Sequence, residues 1–242
     1  MKILVSNDDG WDAPGINLLE SVLEEVAEVW TVAPQSPQSG ISHQMTFERP
    51  MQLTQYADRR YHLDGTPADC ARVGLTQLGE DFDWVFSGVN NGGNLGVDFY
   101  ISGTVAAARE ATFFGKKAVA ISQHRLNYPA DFDWDSVRPL LSRVVEDLLN
   151  RVGFISGDLV NVNLPDCTDR DIQSVQIVDC DLDLSPLPYD YGLAAEKIID
   201  KTGQFSEQRS LLYQGSYNDR HRVPDKDVAV CMGGDISVVK NP

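Results

Sequence analysis

A β–α–β unit in the first 34 residues constrains the fold more than any other feature of this chain. The apolar run Ile3–Val5 has strand character and stops at Asn7-Asp8-Asp9-Gly10. Pro14 suits a first helical position. Leu19, Val22, Leu23, Val26 and Ala27 then fall at i, i+3, i+4, i+7 and i+8, which is one apolar helix face. Val29–Ala33 is a second strand, stopped by Pro34. Two strands joined by a helical crossover predict a parallel sheet, because only a long connection returns the chain to the same edge.

The pattern repeats downstream. Thr66 before Pro67, with Asp69 at the third helical position, predicts a capped helix whose inner face carries Ala71, Gly74, Leu75 and Leu78. Asp83–Gly88 reads as a strand running into a Gly/Asn-rich loop, Val89 to Gly96. Ser102-Gly103-Thr104 opens another helix, and Ala118–Ser122 is a near-continuous apolar strand of the kind buried on both faces. Val137, Leu140, Leu141, Val144, Val145, Leu148, Leu149 and Val152 give the strongest helical periodicity, and a strand follows at Leu159–Leu164. A further strand is predicted over Gln173–Val178, a short helix over Asp227–Met232 and a last strand over Ile236–Val239.

Two stretches break the alternation. Met45 to Leu63 holds short strand-like pieces, read as a small β insertion. Cys180 to about Arg222 is rich in Asp, Pro and Tyr without a long periodic segment. A structureless loop of that length is out of place in a compact domain, so this stretch is expected to be an arm or hairpin ordered by a neighbouring subunit. The predicted class is α/β: a mostly parallel sheet with flanking helices, plus the β insertion and a C-terminal arm. The expected organisation is a catalytic domain over 1–180, an oligomerisation arm or hairpin over 181–225, and a segment over 226–242 that returns to the core.

Charge narrows the partners. A formal net charge of −16 argues against a sequence-independent nucleic-acid binder, which needs a basic face. A small phosphorylated substrate stays compatible, provided that a metal, backbone N–H groups or a few local cations meet the anion. No stretch approaches the roughly 18 consecutive apolar residues of a membrane span. Cys70, Cys167, Cys180 and Cys231 lack close metal-type spacing, and His43, His62, His124 and His221 are too scattered for a zinc cluster. Met1-Lys2 leads straight into a core strand, so the chain is expected in the cytoplasm with free thiols.

Three loops belong to one edge of the predicted sheet: Asn7–Gly10 after the first strand, Ser36–Gly40 after the second, and Ser87 to Gly96 after the third long one. In a parallel sheet, ligands bind outside the carboxyl ends of the strands. Two carboxylates, a hydroxyl and an amide carbonyl can converge there. An all-oxygen set suits Mg²⁺ or Mn²⁺ better than Zn²⁺. Asp-Asp-Gly is equally a common turn, a serine in a Pro/Gly loop commonly caps, and Asn-Asn-Gly-Gly is a tight-turn sequence. Ser102-Gly103-Thr104 at a helix N-terminus is either a phosphate cradle or a plain N-cap.

Ser-Asn-Asp-Asp-Gly (6–10) with Ala-Pro-Gly-Ile (13–16), Val-Ala-Pro…Ser-Gly (32–40), Gly-Thr-Pro-Ala-Asp-Cys (65–70), Ser-Gly-Val-Asn…Asn-Leu-Gly (87–96) and Ser-Gly-Thr-Val-Ala-Ala-Ala (102–108) together resemble the SurE family. These are survival-protein 5'-nucleotidases, metal-dependent phosphatases of nucleoside monophosphates. Asn-Val-Asn-Leu-Pro (161–165) and Gly-x-Ile-Ser-Val (234–238) fit the same family. The resemblance implies a Rossmann-like domain and one divalent cation, Mg or Mn, held by Asp8, Asp9, Ser39 and Asn90. It implies that Gly40, Asn94, Ser102, Gly103 and Thr104 surround the phosphate and the attacking water, with Asp8 and Asn94 catalytic. It also implies a homodimer or tetramer joined through C-terminal arms, and neither a nucleic-acid polymer nor a membrane as partner.

The chain departs from the family pattern at Gln38, where many relatives carry Arg or Lys. It departs again at Asn91-Gly92-Gly93, at the acidic run Val178–Asp183 and at Leu211-Leu212-Tyr213-Gln214 before Gly215. Lost positive charge near the pocket disfavours polyanionic substrates such as polyphosphate. The implied chemistry is hydrolysis of nucleoside 5'-monophosphates, extending to 3'-monophosphates and other phosphomonoesters, by water attack or through a phosphoenzyme on Asp8. Two other readings compete: a homologue that binds nucleotide without turnover, and a receiver-like signalling domain. The latter needs an acceptor Asp where Asn90 stands and a Lys where Ser122-Gln123-His124 follows the later strand.

Overall fold

The computed structural model describes residues 1–127, 132–167, 171–188, 190–199 and 205–242, with backbone alone at 193–199 and 205–209. Nine strands form one sheet in the order β3-β4-β2-β1-β5-β6-β7-β11-β8. They are β1 (Lys2–Ser6), β2 (Glu28–Pro34), β3 (Leu53–Ala57), β4 (Arg60–Leu63), β5 (Trp84–Asn91), β6 (Lys117–Gln123), β7 (Leu159–Leu164), β8 (Ile177–Asp179) and β11 (Ile236–Lys240). The pairs β1–β2, β1–β5, β5–β6, β6–β7, β2–β4 and β8–β11 are parallel; β3–β4 and β7–β11 are antiparallel. This is the α/β, mostly parallel sheet that the crossovers predict.

Alternation along each strand divides the core between two faces. Ile3 and Val5 of β1, Phe86 of β5 and Ile121 of β6 join one cluster, covered by α1 (Pro14–Leu23) and α4 (Arg138–Asn150). Leu4, Val85 and Ala120 join the other, covered by α2 (Pro67–Gln77) and α3 (Gly103–Phe113). The Ala106–Ala108 run on α3 is fully buried. Gly15 lets α1 lie directly on β5, since a Cβ there would stand 2.0 Å from the Val89 carbonyl oxygen.

Local signals hold where a specific side chain terminates an element. Thr66 Oγ1 accepts from Asp69 N (3.2 Å) while the Asp69 carboxylate accepts from Thr66 N (3.0 Å), a reciprocal cap with Pro67 in the first turn. Periodicity overshoots where no such signal exists. α1 ends at Leu23, and Val26 is more than half exposed. α4 ends at Asn150, and Val152 is fully exposed. Of the strand predicted over Gln173–Val178, Ile172–Ser174 forms a short 3-10 helix and β8 begins only at Ile177.

The two irregular stretches differ in kind. β3 and β4 form a hairpin, and β4 then adds parallel to β2 with Ala33 opposite His62. The β insertion therefore extends the main sheet. In the C-terminal stretch, β9 (Tyr191–Ile199) and β10 (Phe205–Tyr213) form a separate antiparallel pair; residues 200–204 between them lie outside the described residues. Beyond it the chain returns to the sheet through α5 (Asp227–Gly233) and β11. On the way, Arg220 Nη1 donates to Asp98 Oδ2 (2.5 Å) and Nη2 to the Leu95 carbonyl (2.9 Å). Asp227 Oδ2 accepts from Gly96 N (2.6 Å) and Tyr217 donates to the Gly93 carbonyl (3.0 Å). The last quarter of the sequence thus fastens the Gly-rich loop that follows β5.

Candidate active site

The acidic turn is a true turn. Asn7 closes it: Nδ2 donates to the Gly10 carbonyl (2.7 Å) and Oδ1 accepts from Gly10 N (3.2 Å), with Gly10 at φ +108°. This fold-back places Asp8 and Asp9 beyond the carboxyl end of β1. Asp8 is buried beneath the N-terminus of α3. Its Oδ1 accepts a short hydrogen bond from Thr104 Oγ1. A Cβ at Gly103 would stand 2.8 Å from Asp8 Cβ, 2.9 Å from Oδ2 and 3.1 Å from Pro67 Cγ. Only glycine lets the helix end approach this closely.

Burial dominates the electrostatics. It pushes the Asp8 carboxyl up to about 6; the Thr104 hydrogen bond pulls the other way and the neighbouring Asp9 charge adds to the rise. Burial also raises Asp9, opposed by the backbone N–H of Asn91, which donates to Oδ2 at 2.8 Å, and by the Arg125 charge. Two adjacent carboxylates this deeply buried are costly to ionise together.

Ser39 sits on a short span pinned at both ends. Gln38 N donates to the Asp8 carbonyl (2.7 Å); Ser42 N donates to the Ile101 carbonyl (3.0 Å) and Ser42 Oγ to that of Tyr100 (3.0 Å). Between these anchors Ser39 and Gly40 are exposed, Gly40 at φ +69° with open space around it. Asn90 lies within β5, opposite Ser122 of β6, where a loop residue was expected. Its Nδ2 donates to the Gly92 carbonyl (2.7 Å). Ser102 Oγ accepts from Val105 N (3.1 Å), so this hydroxyl caps α3.

Asn94 is tied to the strands beyond β5. Its backbone N–H donates to Asn163 Oδ1 (2.7 Å), its Nδ2 to Ser122 Oγ (2.8 Å), and its carbonyl accepts from Asn161 (2.9 Å) and Asn163 (3.3 Å). Every one of these bonds goes to β6 or β7. The direct associations are therefore Asp8 with Gly103 and Thr104, and Asp9 with Asn91. Ser39 and Asn90 lie on neighbouring segments, and Asn94 is bonded to β6 and β7.

Two residues escaped the sequence reading. Asn91 supports Asp9 through its backbone, and its Oδ1 accepts from Arg125 Nη2. Arg125 stands over the Phe132 ring, 3.8 Å from its centroid. Its signal was present, a cation just past the end of β6 on the ligand-binding edge.

The donor chemistry fits a hard divalent cation. It offers two carboxylates with neutral oxygens from a hydroxyl and an amide, and no sulfur or imidazole. Among the described residues no three His, Cys, Asp or Glu side chains cluster as a metal site.

A family model described as Survival protein SurE matches residues 3–182. A protein of Nostoc sp. (strain PCC 7120) named "Putative 5'-nucleotidase alr3139" is 40% identical over 240 residues, covering 99% of each chain. A protein named 5'-nucleotidase SurE from Methylobacterium radiotolerans is 42% identical over 181 residues, covering 73% of this chain and 71% of that one. The crystal structure of a SurE protein from Aquifex aeolicus superposes with a TM-score of 0.75 at 28% identity, covering 99% of this chain and 92% of that one.

Proposed function

The chain belongs to the Survival protein SurE family and is a phosphoric monoester hydrolase of the 5'-nucleotidase kind; we propose that it releases phosphate from nucleoside 5'-monophosphates with one divalent cation, Mg or Mn, at Asp8, Asp9, Ser39 and Asn90. The observation that carries this reading is the contact of buried Asp8 with Gly103 and Thr104 at the start of α3. It joins a cation site to a helix end that binds phosphate.

Each residue has a role that follows from its surroundings. Asp8 and Asp9 supply negative charge that the protein itself leaves largely uncompensated. Thr104 fixes the Asp8 carboxylate, and Asn91 with Arg125 fixes that of Asp9. The first-turn N–H groups of α3, with Gly103 offering no side chain, receive phosphoryl oxygens and oppose the charge that develops on them. Gly40 leaves the approach open. Asn94, locked by β6 and β7, orients the attacking water. When bound, the cation polarises a phosphoryl oxygen and lowers the pKa of its water.

The test is phosphate release from nucleoside 5'- and 3'-monophosphates, glycerol phosphate and polyphosphate, each with Mg²⁺, Mn²⁺ or EDTA. Release from 5'-monophosphates that EDTA abolishes is expected, with little from polyphosphate, since Gln38 brings no cation to the pocket. Metal-independent release, or none from any nucleotide, sinks the reading.

We also place homo-oligomerisation, as a dimer or tetramer, on the β9–β10 hairpin. Among the described residues it pairs only with itself in the sheet topology, and it exposes Tyr191, Leu211, Leu212 and Tyr213. Exposed apolar patches of this kind mark association surfaces. Leu211→Ser with Leu212→Ser is expected to shift the sedimentation coefficient toward the monomer; an unchanged coefficient removes the hairpin from the interface.

A further inference from the structure

A groove of about 570 Å³ opens beside the Ser39 loop, lined by Gln38, Ile41, Met45, Phe47, Arg49 and Thr66 among others. That volume falls in the range of about 300–1,000 Å³ usual for small-molecule sites. Its inner wall is the outer wall of the proposed active site. Gln38 N bonds the Asp8 carbonyl, and Thr66 precedes Pro67, whose Cγ lies 3.1 Å from a Cβ position on Gly103.

The chemistry of the groove differs from that of the phosphate cradle. Arg49 is the one cation among its described lining residues, and it is engaged: Nη1 donates to Asp64 Oδ2 at 2.9 Å and Nη2 donates to the Asp64 carbonyl. With Glu48 and Asp64 also on the lining, the groove carries a net negative charge and disfavours a phosphate. It offers instead an apolar surface of Ile41, Met45 and Phe47. Phe47 is 79% exposed, an aromatic face held out to solvent. The walls are fixed, because Thr66 Oγ1 donates to the Gln44 carbonyl (2.6 Å) and Thr46 N donates to the Asp69 carboxylate (3.1 Å). A preformed, net-negative groove of mixed polar and apolar lining beside a phosphate site suits the uncharged half of a nucleotide.

We propose that this groove binds the nucleoside, with Phe47 stacking on the base and setting the preference for nucleotides over simple phosphomonoesters. The proposal rests on the nucleotidase reading for its substrate. Every base offers a π-face, so stacking gives affinity without strong base selectivity.

Two measurements test it. The ratio of kcat/KM for adenosine 5'-monophosphate to that for glycerol phosphate is expected to fall about tenfold in Phe47→Ala. The change is carried by KM and largely restored in Phe47→Trp. An unchanged ratio, or an equal loss on both substrates, overturns the proposal while leaving the phosphatase reading intact. Binding of adenosine itself, followed by ligand-observed NMR, is independent of turnover. Binding that weakens in Phe47→Ala and returns in Phe47→Trp supports the groove; no binding, or binding indifferent to residue 47, overturns it even if the protein hydrolyses no phosphoester.

Discussion

Asp8→Asn is expected to cut metal-dependent phosphate release by about 10³-fold or more, while the metal-free protein becomes no less stable than the wild type. The first half follows from removing one of two charged ligands from a site that offers only neutral oxygens besides. The second follows from burial. The folded protein holds the Asp8 proton up to about 6, above the ordinary 3.8. Stability from this group in the metal-free protein is therefore complete below about pH 3.8 and lost as pH rises through about 6. At pH 7 the ionised carboxylate costs roughly 3 kcal/mol. Asparagine removes that cost and keeps an oxygen that accepts from Thr104. Thermal unfolding in EDTA at neutral pH should show an equal or higher Tm for the variant. Added Mn²⁺ should raise the wild-type Tm and leave that of Asp8→Asn in place, because only a protein that binds the ion in its folded form gains from it. Wild-type turnover by the variant, or an equal metal-induced rise in Tm, contradicts the assignment of Asp8 as a ligand.

The same residue shows which part of the site was legible in sequence. That a carboxylate pair follows β1 is a local fact: an apolar run, an abrupt polar turn and a helix with Pro14 at its start. The Thr66–Asp69 cap is local too, written in four consecutive residues. What Asp8 and Asp9 touch is not local. Thr104 is 96 residues from Asp8, and Asn91 is 82 from Asp9. Both contacts exist because β1 lies beside β5 and α3 packs back over β5 and β6, and no periodicity encodes the strand order. Asn90 was assigned to a loop because Gly and Asn are turn formers. Pairing with Ser122 of β6 nevertheless holds it in the strand. Val26 and Val152 show the converse error, apolar residues that continue a helical rhythm after the helix has ended. β4 is four residues long, too short to announce that it completes the main sheet through β2. Family resemblance supplied the ligand set, but not the buttress of Asn91 and Arg125. That buttress depends on where the chain turns after β6.

Gly103→Ala is expected to lower kcat/KM for nucleoside monophosphates by about 10²-fold, with a smaller effect on stability. An added Cβ would lie 2.8 Å from Asp8 Cβ and 2.9 Å from its Oδ2, closer than real Cβ atoms stand, and 3.1 Å from Pro67 Cγ. One of three things must yield. Pro67 is held in the capped first turn of α2, and the backbone of α3 is fixed by the Ser102 cap and by its fully buried alanines. The Asp8 side chain remains the softest element, and moving it breaks the Thr104 contact and displaces a cation ligand. A misplacement of the order of 1 Å costs about 10²-fold in a positioned reaction. Gly103 carries no positive φ, so alanine adds no backbone strain at this first helical position, and Tm should fall little. The readout that separates this from general damage is the metal concentration needed for half-maximal activity. It should rise in Gly103→Ala. Wild-type metal affinity in the single variant would show that Asp8 does not bear the strain and that the close approach of α3 serves the phosphate alone.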